Sequence, residues 1–173
     1  MNTIIRDVVD SDMPALAGIY AHSVRFGTAS FELEPPSLEE FTRRRDNLVR
    51  AGFPYLAAER DGEPVGYAYA STYRPRPGYR FTVENSVYVA PGRQGLGIGK
   101  TLLSALVARC EAGGWRTIIA VIGDSANIAS ITLHAACGFR HAGMLPNVGW
   151  KHERWLDSVL MVREIGSDNP SPK

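Results

Sequence analysis

The chain has 173 residues, 19 Lys+Arg against 18 Asp+Glu, a formal net charge of +1 at pH 7 and 45% hydrophobic residues. That length holds one domain with a sizeable core and is short for two, and the balanced charge excludes a general electrostatic pull toward nucleic acid or anionic membrane. With no apolar run near the roughly 20 residues of a membrane span, and no basic flank or long apolar stretch in the opening residues, a cytoplasmic protein acting on small molecules is expected.

Residues 3–9 read as an edge strand, and Ser11-Asp12 as the cap of a helix carrying Leu16, Ile19, Tyr20 and Val24 on one face. Ser37-Leu38-Glu39-Glu40 is a capping box for a second helix, with Phe41, Leu48 and Val49 inward and Gly52 as its stop. Residues 54–60 and 64–73 form a hairpin about Asp61-Gly62, a pair that suits a primed two-residue turn. A stiff basic loop, Arg74 to Arg80, leads to a strand over 81–89. Val83, Val87 and Val89 share one face of it, and Glu84, Ser86 and Tyr88 the other.

A helix after Gly99 carries Leu102, Leu103, Leu106, Val107 and Cys110 and ends at Gly113-Gly114; residues 117–122 are a short buried strand. Strand, loop, helix and strand make a βαβ unit, so the strands at 81–89 and 117–122 should be parallel. Residues 127–136 read as a helix, and 139–145 and 154–164 as two closing strands. The fold class is α/β with a mixed sheet, a single domain over 1–165 and a disordered tail over 166–173. Cys110 and Cys137 lack metal-site or disulfide spacing and read as buried free thiols rather than nucleophiles. His22, His141 and His152 have no partner at a functional spacing.

Gln94-Gly95-Leu96-Gly97-Ile98-Gly99-Lys100 is the most informative stretch, because it joins a strand to an amphipathic helix. The first N–H groups of a helix lack intrahelical partners and the dipole is positive there, so a glycine-rich turn at that point is an anion site. Two common phosphate motifs fail: a P-loop would need glycine at 94, where Gln stands, and a dinucleotide fingerprint would need different glycine spacing in the first strand-to-helix turn.

Gln94-x-x-Gly97-x-Gly99, with Arg93 beside it, fits instead the Q/R-x-x-G-x-G/A loop of the GNAT superfamily of N-acetyltransferases. The order of elements and the later Asn127…Leu133-His134-x-x-x-Gly138-Phe139 resemble the same superfamily over residues 3–165. Thr28 to Glu32, Thr82 to Val89, Ala120-Val121-Ile122 and Val148-Gly149-x-Lys151-x-x-x-Trp155-Leu156-Asp157 resemble its phosphinothricin and methionine sulfone/sulfoximine N-acetyltransferase branch. The resemblance implies a GNAT-type domain whose mostly antiparallel sheet splays between its two central parallel strands. It implies acetyl transfer from acetyl-CoA to the primary amine of a small L-amino-acid-like substrate, by direct attack in a ternary complex and with no metal.

By that resemblance Val87, Tyr88 and Val89 meet the pantetheine, the backbone of Gly95, Leu96, Gly97, Ile98, Gly99 and Lys100 holds the pyrophosphate, and Asn127 and Ser130 reach in from the opposite side. Phe31, Asn85 and Ser86 fall in the acceptor-binding motifs, and a homodimer is implied. An ammonium must lose a proton before it attacks, and Glu84 is the candidate base, the alternatives being a solvated strand glutamate or an ion pair with a loop arginine. The Val89 N–H is the candidate oxyanion donor. His134 stands where most of the superfamily has tyrosine, and is either the acid for the leaving thiolate or part of the CoA pocket. Arg74, Arg76 and Arg80 suit an acceptor carboxylate and phosphinate, or else form a solvated basic loop. A peptide or protein N-terminal acetyltransferase and a non-catalytic acyl-CoA sensor are the competing functions.

Overall fold

The computed structural model describes residues 3–166. Seven strands form one sheet: β1 (Ile4–Asp7), β2 (Tyr55–Arg60), β3 (Glu63–Thr72), β4 (Thr82–Val89), β5 (Thr117–Gly123), β6 (Arg140–Lys151) and β7 (Arg154–Glu164). Their spatial order is β1-β2-β3-β4-β5-β7-β6, every adjacent pair being antiparallel except the parallel β4–β5. Among the described residues the α-helices are α1 (Met13–Phe26), α2 (Leu38–Arg50), α3 (Ile98–Ala112) and α4 (Ile128–Ala136). The expected mixed sheet with a βαβ unit at its centre is therefore what the chain forms.

The sheet is covered on both faces. Leu102, Leu103, Leu106 and Cys110 recur down one side of α3 and pack with Val83, Ile118 and Leu56, while Leu16, Tyr20 and Val24 of α1 and Phe41 of α2 meet Tyr55 and Tyr67. Each of those fully buried aliphatic side chains contributes about 1.5–3 kcal/mol through burial. The hairpin turns on Asp61 (φ 53°) and Gly62 (φ 81°), the pair of left-handed residues that a type I′ turn requires.

Five expectations are corrected. Asp12 precedes α1 without a side-chain cap bond, because its carboxylate accepts from the Arg6 guanidinium at 2.7 and 2.8 Å and from Val9 N at 2.9 Å. Ser37 does cap α2 through Glu40 N at 3.1 Å, but the Glu40 carboxylate turns to Arg43 and Arg44. Val49, expected inward, is half exposed, and Val121, in a strand expected to be buried, is 37% exposed. β6 runs to Lys151 rather than ending at 145, because register shifts at 141–143 and 145–149 let it bend and continue pairing with β7. Of the tail expected over 166–173, all but Gly166 lies outside the described residues.

Candidate active site

Parallel pairing between β4 and β5 stops at Asn85–Ala120. Beyond that point Ser86 to Val89 pair with β3 alone, and the two strands part. Ala90 N donates to Val65 O at 2.9 Å across the β3 edge, so Val89, one residue earlier in an alternating strand, aims its N–H at the opening.

Three hollows follow this opening and share their walls. The largest, about 340 Å³, lies between the C-terminal end of β4 and the facing helices; Val87, Val89, Ile98 and Leu133 give it an apolar wall. Gly95, Gly97, Gly99 and Lys100 close one end, and Asn127 and Ser130 line the other side. A cavity of about 40 Å³ continues it inward past Val87, Asn127 and Ser130 to Asn85 and His134. That cavity shares Ala29, Ser86, Tyr88, Val121 and Gly123 with the third hollow, about 260 Å³, in which Glu84, Phe31 and Tyr69 stand.

The anion-binding end is built from backbone. Gly97 holds φ 78° as the residue before α3, and Gly95 φ 76°, conformations that L side chains adopt only with strain. The left-handed turn sets the first N–H groups of α3 facing outward. Arg60 Nη2 donates to Leu96 O at 3.2 Å and Thr101 Oγ1 to Gly97 O at 3.1 Å, which fixes the loop from β2 and from α3. These donors, the helix dipole and the narrow apolar cleft beyond fit a pyrophosphate carrying an extended amide arm.

Glu84 is at the other end. No hydrogen bond or ion pair is made by its carboxyl among the described residues, and burial raises its pKa above the ordinary glutamate value. The loop-arginine ion pair is not formed, and the half-buried carboxyl stands on the wall of a hollow. Phe31 is held beside it by a tethered segment: Lys151 Nζ donates to Ser30 O at 2.6 Å, Tyr20 Oη and Ser30 Oγ are 3.0 Å apart, and Thr28 Oγ1 donates to Gly123 O at 3.4 Å. The ring lies where a Cβ on Gly149 would come within 2.7 Å of it and one on Gly123 within 2.9 Å. Burial lowers the pKa of Lys151.

His134 is 3% exposed, and burial lowers its pKa while the bond to Ser130 O opposes that shift. Its Nδ1 is 2.8 Å from Ser130 O and its Nε2 3.0 Å from Asn85 Nδ2. Asn127 caps α4 by accepting from Ser130 N at 3.2 Å.

Most of the expected residues are thus brought together, and some are not. Tyr88 lines the junction and the Glu84 hollow rather than the large cleft, Leu96 contributes its carbonyl to the Arg60 tie, and Asn85 lines the junction, not the Glu84 hollow. Arg74, Arg76 and Arg80 line a separate hollow of about 270 Å³ with Phe53 and Trp115. There Arg80 lies over the Phe81 ring at 4.6 Å and donates to Pro77 O at 3.3 Å. Sequence reasoning missed Tyr69, Gly123 and Leu133 as lining residues; only the alternation of aromatic residues along β3 hints at the first. Both thiols are free and buried, with Cys110 pushed up to about 12 by burial.

A splayed parallel strand pair, a glycine-rich helix N-terminus at one end of the cleft and an unpaired carboxyl at the other define an acyltransferase that takes its acyl group from a CoA thioester. The model of the Acetyltransferase (GNAT) family matches residues 17–139, and the chain belongs to that family. It is 57% identical over 163 residues to phosphinothricin N-acetyltransferase of Alcaligenes faecalis, covering 94% of this chain and 83% of that one. It is 39% identical to the L-methionine sulfoximine/L-methionine sulfone acetyltransferase of Pseudomonas aeruginosa, over 99% of this chain and 100% of the relative. The crystal structure of a GNAT superfamily phosphinothricin acetyltransferase from Sinorhizobium meliloti in complex with AcCoA superposes with a TM-score of 0.95 at 43% identity, covering 100% of this chain and 95% of that one. Acetyl-CoA is the cosubstrate of the enzyme. Among the described residues no helix is long and apolar enough to cross a membrane.

Proposed function

We propose that the enzyme acetylates the primary amine of a small L-amino-acid-like acceptor of the phosphinothricin, methionine sulfone or methionine sulfoximine type, by direct attack within a ternary complex. The observation that carries this reading is the unpaired, half-buried Glu84 in a hollow that meets the CoA cleft through the cavity between β4 and β5. The names of the relatives support the acceptor class.

Acetyl-CoA supplies an activated acetyl carbon. Val87, Val89 and the glycine loop hold it along the cleft, and the Val89 N–H meets the oxygen on which charge develops. Glu84, raised in pKa by burial, takes the proton from the acceptor ammonium, leaving the free amine to attack. Phe31, Tyr69 and Ser86 wall the acceptor. Within one chain Arg74, Arg76 and Arg80 line a different hollow from the one that holds Glu84.

The active unit in this reading is a homodimer. Met144, Leu145, Val148, Trp150 and Trp155 are 48–59% exposed on β6 and β7, and β6 is a twelve-residue strand at the sheet edge. A long apolar edge of this kind is what a second copy would cover. The cytoplasm, with its CoA pool, suits such an enzyme and its two free thiols.

The test is thiol release from acetyl-CoA with amino-acid analogues, with peptides and with no acceptor. Rapid release with amino-acid analogues supports the reading; release with peptides in their place would make it a peptide acetyltransferase, and binding of acetyl-CoA without release in any arm would make it a sensor.

A further inference from the structure

Asn85 and His134 come from β4 and α4, 49 residues apart in sequence, and meet at the cavity where the CoA cleft joins the acceptor hollow. A carbonyl oxygen only accepts, so the 2.8 Å contact with Ser130 O places a hydrogen on His134 Nδ1. Burial lowers the pKa of the ring, and its Nε2 faces the Asn85 amide Nδ2 at 3.0 Å, an N–H donor that a lone pair on Nε2 accepts. His134 thus has no proton at Nε2 to give to a departing thiolate.

The same bond fixes which way the Asn85 amide faces. Its Nδ2 is turned to His134, and Oδ1 is left buried with no hydrogen-bond partner among the described residues, in a side chain only 6% exposed. A desolvated acceptor without a partner destabilises the fold unless a ligand meets it. The junction cavity, about 40 Å³, has room for a sulfur atom between the pantetheine arm and the acceptor.

We propose that Asn85 is a positioning residue that locks His134 as the Nδ1–H tautomer, and that its Oδ1 accepts a hydrogen bond from the sulfhydryl of CoA. The second half rests on the acetyltransfer reading above; the first does not. Proton balance is kept without an acid from the protein. As the C–N bond forms and the C–S bond breaks, the electron pair leaves on sulfur, and the acceptor nitrogen, which enters with two hydrogens and ends with one, supplies the proton that the thiolate takes. The S–H so formed finds Oδ1 in place.

Imidazole nitrogen spectra of histidine-labelled wild-type protein at neutral pH test the tautomer with no variant at all. A protonated Nδ1 with a bare Nε2 on His134 is expected, and a proton on Nε2 would overturn the lock. Asn85→Asp replaces the donor by a carboxylate, which only accepts, so His134 should become doubly protonated; an unchanged ring would also count against it. For the second half, calorimetry compares CoA with desulfo-CoA. Wild type should bind CoA about threefold more tightly, the size of a modest net hydrogen bond, and Asn85→Ala should erase that ratio whatever it does to both affinities. A ratio that survives in a folded Asn85→Ala variant, or is absent from wild type, overturns the sulfhydryl contact. Failure of the enzyme to bind either nucleotide would defeat the acetyltransfer reading instead and leave the His134 spectrum standing.

Discussion

Glu84 and Asn85 are consecutive on β4 and serve opposite faces of the sheet: Glu84 stands in the acceptor hollow with Phe31 and Tyr69, while Asn85 crosses beneath to His134 on α4. One strand therefore carries a half-buried carboxyl on one side and a buried amide on the other. The period-2 alternation of a strand is enough to produce this separation. The two side chains stand on either side of β4 where its pairing with β5 ends, Glu84 in one hollow and Asn85 at the junction cavity.

Gly97→Val tests the CoA end. Gly97 is held at φ 78°, which a β-branched residue adopts only with strain, and its missing side chain leaves the loop open to a phosphate. The Kd for acetyl-CoA, measured by calorimetry, should rise at least about tenfold, or roughly 1.4 kcal/mol. Unchanged affinity in a folded variant would remove the loop from the CoA site.

Gly149→Ala tests the acceptor wall. The added Cβ would stand 2.7 Å from Phe31 Cε2, so the ring must leave its slot. KM for the amine should rise several-fold while the Kd for acetyl-CoA stays within about twofold, because the two hollows are separate beyond the junction. Equal loss for both ligands would mean that the substitution damages the fold rather than the wall.

The homodimer is tested at the apolar edge. Trp150 and Trp155 pair across β6 and β7 with ring centroids 5.2 Å apart, and both are more than half exposed. Sedimentation of the wild type should give twice the 18.9 kDa chain mass, and a Trp150→Glu/Trp155→Lys double variant should sediment as a monomer with its CoA affinity intact. A monomeric wild type would exclude the dimer.

Apart from the parallel pairing that the strand-helix-strand order implies, what the sequence made legible was local. The φ > 0 glycines of the 95–99 loop, the apolar spacing of α3 and the Asp61-Gly62 turn each act over a few residues, and the structure has them where the pattern places them. β6 was cut short because its bend, with Pro146 and Gly149 inside it, breaks the period that marks a strand. The arginine loop precedes the Glu84 strand, which in sequence suits either an acceptor anion or a solvated loop, and a chain that turns through Pro77–Tyr79 delivers those side chains beside Phe53 and Trp115. The Asn85–His134 bond joins residues 49 apart and leaves no spacing to read.

Glu84→Gln tests the chemistry. It preserves size and hydrogen-bonding capacity and removes basicity, so acetyl-CoA binding should persist while kcat/KM falls by about 10² to 10⁴, the usual contribution of a positioned base. Because burial raises the Glu84 pKa, the wild-type rate should climb with pH along a limb displaced above the ordinary carboxylate range, in addition to the limb of the substrate amine; the variant should keep the second limb alone. Stability should move the opposite way. A carboxyl whose folded pKa is raised stabilises the fold below its unfolded pKa and loses that contribution as pH rises through the folded value, whereas glutamine has no charge to desolvate. The variant should therefore melt above the wild type at pH 7, and the gap should close toward pH 4. An active site that holds an unpaired carboxyl in a hollow trades stability for basicity, and both measurements read the same burial. If Glu84→Gln keeps nearly full kcat/KM at every pH while still melting higher, the carboxyl is buried without being the base, and deprotonation runs through water elsewhere in the hollow.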